Sequence, residues 1–194
     1  MRAIFLDKDG TLVDDVPYNV DPALLVLARH AGAALRLLRS LGYRFYVVSN
    51  QSGIARGLFD EAALGPLFAR LHAMLAQEGV RLDGVFCCPH HPQGTVAPLA
   101  VDCDCRKPRP GMLQQAATLH GIDLTGSWMV GDILDDIEAG RRAGCRTALI
   151  DNGNETEWLL SPQRMPHLSA PDLLAAAQGI RQHDALRHAV QELR

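Results

Sequence analysis

Hydrophobic and polar positions alternate with several different periods along this chain, and each change of period predicts an element. Arg2 to Leu6 is a short apolar run ended by charge and glycine, which predicts a buried strand. From His30 to Leu41 the leucines at 35, 38 and 41 fall on one helical face, and Gly42 supplies a stop. Phe45 to Val48 reads as a second buried strand that runs into Ser49 and Asn50. Asp60 is expected to cap a helix reaching about Gln77, with Leu64, Leu67, Leu71 and Leu75 as its stripe. Val85 to Cys87 predicts a third strand. Cys88 to Pro110 predicts an ordered loop, and Gly111 to His120 a helix. Trp128 to Val130 predicts a fourth strand, Asp135 to Ala143 a helix stopped by Gly144, and Thr147 to Ile150 a fifth strand. Asn152 to Pro166 is turn-rich and predicts no element, while residues from Pro171 onward predict a closing helix.

Strands alternating with helices predict an α/β fold, a doubly wound parallel sheet formed by a single domain over residues 1–194. In such sheets the ligand crevice lies beyond the C-terminal ends of the strands. Four polar motifs follow predicted strands or the loop between them. They are Asp7-Lys8-Asp9-Gly10-Thr11, Ser49-Asn50-Gln51-Ser52-Gly53, Arg106-Lys107-Pro108 and Gly131-Asp132-Ile133-Leu134-Asp135-Asp136. The topology can bring all four to one edge although they are far apart in the chain.

Asp7 and Asp9 stand two residues apart, so on extended chain both carboxylates face the same way. One ionised carboxylate can attack phosphorus while a second acid protonates the leaving oxygen. Carboxylate and phosphate repel each other, so such chemistry needs a divalent cation. Magnesium suits an all-oxygen site, with Asp132 as the natural further ligand. The alternative is that the two acids only cap the turn at Gly10. The Ser49–Gly53 turn can hold a phosphoryl oxygen through a hydroxyl and backbone N–H groups, although such polar turns are common. Lys107 is one of only two lysines, with Lys8, in a chain that otherwise uses arginine. A retained lysine suggests a site that wants a compact ammonium beside a phosphoryl group, and Arg106 could bind a second anion. Acids at positions 135 and 136 also suit a helix N-terminus for purely electrostatic reasons.

The loop after the third strand holds Cys88-Pro89-His90-His91 and Cys103-Asp104-Cys105. Three sulfurs and one imidazole fit a closed tetrahedral zinc site, formed by Cys88, His90, Cys103 and Cys105, with His91 as an alternative to His90. The loop has little apolar material, so metal would supply much of its order. Free thiols with surface histidines are the competing reading.

Composition narrows the function classes. The chain has 194 residues, 47% hydrophobic, with formal net charge −3, enough for a real core and too acidic for a broad nucleic-acid face. No apolar run approaches the ~20 residues of a membrane span. The first motif begins too early to leave room for a signal peptide, so a cytoplasmic protein is expected. The odd count of five cysteines then reads as thiols or metal ligands.

Taken together the motifs resemble the haloacid dehalogenase superfamily of aspartyl-phosphate phosphatases, with a minimal cap, and the resemblance covers nearly the whole chain. It implies Asp7 as nucleophile, Asp9 as general acid and base, and Ser49 and Lys107 as phosphoryl-binding groups. It further implies magnesium held by the Asp7 and Asp132 carboxylates and the Asp9 backbone carbonyl. The sequences around Asp7, Ser49, Cys88 and Cys103 resemble the histidinol-phosphatase-like subgroup, which contains the heptose bisphosphate phosphatases. That resemblance implies structural zinc in a loop over residues 88–106, a small sugar-phosphate substrate, and substrate contacts from Asp15, Tyr18, Asn50, Gln51, Ser52 and Arg106. Histidinol phosphate or another small phosphomonoester is the alternative substrate, and a zinc-stabilised phosphate-binding module without turnover is the non-enzyme reading. Some relatives carry lysine directly after the magnesium-binding aspartate, whereas this chain has Ile133. No partner chain is expected, and the protein should be a monomer.

Overall fold

The computed structural model describes residues 1–192, so the last two residues of the predicted closing helix and domain lie outside the described residues. Six strands form one sheet: β1 (Ala3–Leu6), β2 (Arg44–Asn50), β3 (Gly84–Cys88), β4 (Trp128–Gly131), β5 (Arg146–Ile150) and β6 (Leu168–Ala170). Their spatial order is β3-β2-β1-β4-β5-β6, and every pairing is parallel. The helices are α1 (Ala31–Ser40), α2 (Leu64–Gln77), α3 (Gly111–His120), α4 (Leu134–Ala143) and α5 (Leu173–Glu192).

Strand residues alternate between two cores, as the two-residue period requires. Ile4, Leu6, Phe45, Val47, Val130 and Ile150 pack with α1, α2 and the start of α5. Ala3, Phe5, Tyr46, Val48 and Met129 pack with Met112, Leu113 and Ala116 of α3 and Ala139 of α4. The sheet is therefore covered on both faces, which explains why its strands read as continuous apolar runs. From β1 the chain builds outward to β2 and β3, then returns to lay β4 on the other side of β1. The strand order reverses between β1 and β4, and a parallel sheet opens a crevice at such a point.

Three details differ from the sequence expectations. β6 was not expected; it is three residues long on the sheet edge, and only Leu168 and Ala170 carry an apolar signal. Asp60 does not cap α2. Its side chain makes no capping bond, and a short 3-10 turn over Glu61–Ala63 intervenes before Leu64 starts the helix. The loop from 89 to 110 also contains a 3-10 turn, Ala97–Leu99. The helix stops fall where glycine allows a left-handed residue: Gly42 beyond α1 has φ +84° and Gly144 beyond α4 has φ +89°. Among the described residues, no helix is long and apolar enough to cross a membrane.

Candidate active site and metal cluster

The ends of β1, β2 and β4 meet around a cavity of about 240 Å³. Asp7, Asp9, Asp15, Ser49, Asn50, Lys107, Asp132, Ile133 and Asn154 line it. β1 continues straight into the site, since Asp7 N–H donates to the Val130 carbonyl at 2.9 Å. The chain then turns sharply: the Leu12 and Val13 N–H groups both return to the Lys8 carbonyl, at 3.0 Å. Gly10 sits in this turn with φ +79°, and a Cβ there would lie 2.1 Å from Asp132 Oδ2. Glycine is thus required twice over, for the backbone and for the close approach of Asp132.

Lys107 is buried between two acids. Its ammonium bonds Asp7 Oδ1 and lies 2.6 Å from Asp136 Oδ1. Burial opposes a charge there, but Asp136 and Asp7 outweigh it and hold the lysine above its ordinary pKa. The Asn50 side chain fixes the lysine's backbone on both sides: Oδ1 accepts Lys107 N–H at 3.0 Å and Nδ2 donates to the Lys107 carbonyl at 3.1 Å. Asp136 is fully buried and also accepts Ile133 N–H at 3.3 Å, so it belongs to the support of Lys107. Asp9 pairs with Lys8, yet burial is the larger influence and raises its carboxyl above the usual aspartate range. Asp132 is 5% exposed, and burial, together with the Asp7 charge, raises it to about 6, against a lowering hydrogen bond from Asn154.

The structure brings Asp7, Asp9, Ser49, Lys107 and Asp132 together, with Asp15 and Asn50 at the same cavity. Gln51 instead turns inward, 5% exposed, and donates to Ser49 Oγ at 2.8 Å. Ser52, Tyr18 and Arg106 are outside the cavity lining. Tyr18 is exposed with φ 55°, and half-buried Arg106 reaches toward the His90 carbonyl at 3.5 Å. Two site residues escaped the sequence reading. Asp136 is the third residue of α4, and its acid reads equally well as a charge that suits a helix N-terminus. Asn154, 22 residues beyond Asp132, carries no signal.

The carboxylate oxygens of Asp7, Asp132 and Asp136 can all lie within 4.8 Å of one another. Asp136 is committed to Lys107 and Ile133, which leaves Asp7 and Asp132 as hard oxygen donors able to share one magnesium ion. The second cluster is of another kind. Cys88 Sγ lies 3.5 Å from Cys103 Sγ and 3.0 Å from Cys105 Sγ, with Cys103 and Cys105 at 3.3 Å. His90 Nδ1 lies 3.7 Å from Cys88 Sγ and 3.3 Å from Cys105 Sγ. Zinc–sulfur bonds of about 2.3 Å in a tetrahedron put sulfurs roughly 3.8 Å apart, so the four groups converge as one zinc ion requires. His91 points elsewhere: its Nε2 is 3.1 Å from Arg56 Nη2 and its Nδ1 accepts Gln93 N–H. Burial pushes the Cys87 thiol up to about 12, and Cys87 packs against the core outside this cluster.

Comparison with known proteins agrees with this geometry. The chain is 42% identical over 168 residues to the D-glycero-beta-D-manno-heptose-1,7-bisphosphate 7-phosphatase of Salmonella typhi, covering 82% of this chain and 89% of that protein. It is 44% identical over 153 residues to the protein of the same name from Pasteurella multocida, covering 78% and 83%. The chain belongs to the D-glycero-beta-D-manno-heptose-1,7-bisphosphate 7-phosphatase family. The family described as HAD-hydrolase-like matches residues 104–176, which puts this phosphatase family in the haloacid dehalogenase superfamily. Among solved structures, a D,D-heptose 1,7-bisphosphate phosphatase from B. bronchiseptica, complexed with magnesium and phosphate, matches with TM-score 0.76 and 33% identity, over 94% of this chain and 99% of that one. A HAD-like phosphatase from Mesorhizobium loti matches with TM-score 0.79 and 39% identity, over 92% and 87%. As a member of the heptose-bisphosphate phosphatase family the chain is a phosphatase, and its parallel α/β sheet is the superfamily's fold.

Proposed function

We propose that this chain removes the C7 phosphate of D-glycero-D-manno-heptose 1,7-bisphosphate through a phosphoryl group carried on Asp7. The observation that carries the reading is Asp7 at the end of the central strand, ion-paired to buried Lys107, with Asp9 and Asp132 in the same cavity. An Asp7 carboxylate oxygen attacks phosphorus, and the bond from phosphorus to the C7 oxygen breaks. Asp9, as general acid, gives its proton to the departing oxygen. A water then attacks the acyl phosphate and passes a proton to Asp9, and Asp7 leaves as carboxylate with inorganic phosphate released. Lys107 and the Ser49 hydroxyl hold the equatorial oxygens of the transferring group. The Asp7 and Asp132 carboxylates and the Asp9 carbonyl hold magnesium, which when bound neutralises the repulsion between carboxylate and phosphate.

Asp15 and Asn50 meet the sugar, with Tyr18, Gln51 and Ser52 in the surrounding shell, and Arg106 meets the second phosphate. Cys88, His90, Cys103 and Cys105 hold a structural zinc that orders residues 88–106 and so sets Arg106 and Lys107. The protein works as a single domain and a monomer in the cytoplasm, on a substrate destined for activated heptose and surface lipopolysaccharide.

The test is magnesium-dependent phosphate release from both anomers of heptose 1,7-bisphosphate and from histidinol phosphate. A kcat/KM preference of ~100-fold for one heptose anomer, about 2.7 kcal/mol in transition-state binding, is expected. Faster turnover of histidinol phosphate would reject the substrate while leaving the Asp7 chemistry in place, and Ile133 in the cavity wall would be the first position to examine.

A further inference from the structure

The segment joining β5 to β6 has no helix or strand, yet it is tied down near both ends. Near its start, Asn152 Nδ2 donates to the Gly10 carbonyl at 2.8 Å, and Asn154 N–H donates to Asn152 Oδ1 at 3.1 Å. The Glu155 carboxylate accepts Leu134 N–H at 2.6 Å and so caps the first turn of α4. Near its end, Arg164 pairs with Asp135 and, through Nε at 2.7 Å, with Glu138. These anchors grip the Gly10 turn and the start of α4, the two stretches of backbone beside Asp132. Between the Asn152 and Glu155 anchors, Asn154 Nδ2 donates to Asp132 Oδ2 at 2.7 Å. Thr11 Oγ1 donates to the other oxygen at 3.2 Å. A Cβ at Gly10 would lie 2.4 Å from Asn154 Nδ2, so the missing side chain is what lets amide and carboxylate meet.

We infer that Asn154 is a positioning residue that holds the Asp132 carboxylate in the orientation needed to bind magnesium. The inference rests on the reading of Asp132 as a magnesium ligand. Each Asp132 oxygen has a donor of its own, so the carboxylate enters metal binding with its rotation already restricted. The donor from the brace is neutral: an ammonium or guanidinium at position 154 would compete with the cation, while an amide directs the carboxylate and leaves its charge available. Asn154, like Asp15, lines both the catalytic cavity and a neighbouring cavity of about 320 Å³.

The experiment is calorimetric titration of the whole, zinc-loaded protein with magnesium alone, on wild type, Asn154→Leu, Asn154→Ala, Glu155→Ala and Asp132→Asn. Leucine keeps the volume of asparagine without its donor, and alanine guards against a misfit of leucine. Both Asn154 variants should bind magnesium roughly tenfold more weakly. The magnesium concentration giving half-maximal turnover should rise by a similar factor, with kcat at saturating magnesium falling less. Their melting temperatures without magnesium, zinc retained, should stay within about 2 °C of wild type, whereas Glu155→Ala should lose more stability than magnesium affinity. Magnesium affinity within twofold of wild type in both Asn154 variants overturns the inference. So does a weakening in all three brace variants that simply follows their loss of stability without magnesium. A wild type that binds no better than Asp132→Asn would reject the magnesium site itself, a failure distinct from that of Asn154.

Discussion

At the crevice the groups that face one another are oxygen donors and one ammonium, carried largely on the ends of β1, β2 and β4. At residues 88–105 they are three thiols and an imidazole, carried on the last residue of β3 and on the loop that follows it. Backbone register and side-chain pairing fix the first set: Asp7 is registered against Val130, Lys107 is gripped by Asn50, and Asp136 is fully buried. The second set has one anchor in the sheet, Cys88, which is buried at the end of β3 and paired with Asn50 of β2, while its other ligands lie in turns and residues 101–106 are exposed or half-buried. Hard donors on a rigid frame suit an ion that is exchanged and used for chemistry. Soft donors that close on one point suit an ion that holds the chain together. The two regions join at Cys105, two residues before Lys107, so order in the loop becomes geometry in the crevice.

The largest expected effect separates the two metals. Removing zinc with a strong chelator, or replacing Cys103 with serine, should unfold the 88–106 loop and lower stability by several kcal/mol. Hydrogen exchange should report it as lost protection at residues 88–110, with turnover lost along with it. Protection unchanged after the zinc is gone would erase the contrast between the regions. Next is Lys107→Met, which leaves buried Asp136 and Asp7 facing each other without their counter-charge. Removing one partner of such a buried pair costs about 3–5 kcal/mol, and urea unfolding should register that order of loss. An unchanged midpoint would mean that Lys107 is not the keystone of the crevice.

Withdrawing magnesium alone should stop turnover reversibly and leave the fold in place. By mass action its stabilisation is about 3 kcal/mol even at a hundredfold excess over Kd, so melting should shift modestly and the loop should keep its protection. A loop that melts on magnesium withdrawal would contradict the division of labour. The smallest effect lies outside both clusters. His167 Nδ1 accepts Thr147 N–H at 3.0 Å, and burial, reinforced by Arg141 and His183, lowers its pKa below the ordinary histidine value of about 6.5. The unfolded chain therefore takes up this proton more readily than the folded one. The contribution is present above about pH 6.5 and is lost as pH falls through the lower folded value. His167→Gln should flatten the melting temperature below pH 6.5 by about a degree or two, without touching metal content or turnover.

The same contrast explains what could be read from the sequence. The strands and helices of the frame were legible because burial on two faces writes long apolar runs and clear leucine stripes, as at Phe45–Val48 and Leu64–Leu75. Asp7, Asp9 and Asp132 were legible because each follows such a strand directly. In the 88–106 loop the set Cys88, His90, Cys103 and Cys105 was legible from its ligand types, with His91 left as an alternative to His90. His90 and His91 are adjacent and chemically identical, and the turn that sends one toward Cys105 and the other toward Arg56 has no pattern in the chain. β6 is too short to write a period. Asn154, Glu155 and Arg164 act by single long-range hydrogen bonds and ion pairs from an irregular segment, and neither periodicity nor spacing records those.

Asp7 is the group on which turnover depends most directly. The deciding measurement is phosphate release from heptose 1,7-bisphosphate at saturating magnesium by wild type and by Asp7→Ala, with zinc content and melting temperature recorded on the same samples. Asp7→Ala should keep its zinc and its fold while kcat falls by at least about 10⁴, roughly 5.5 kcal/mol in activation free energy. An Asp7→Ala protein that retains its zinc and turns over within tenfold of wild type would contradict the account, because the phosphoryl group would then have no need of that carboxylate.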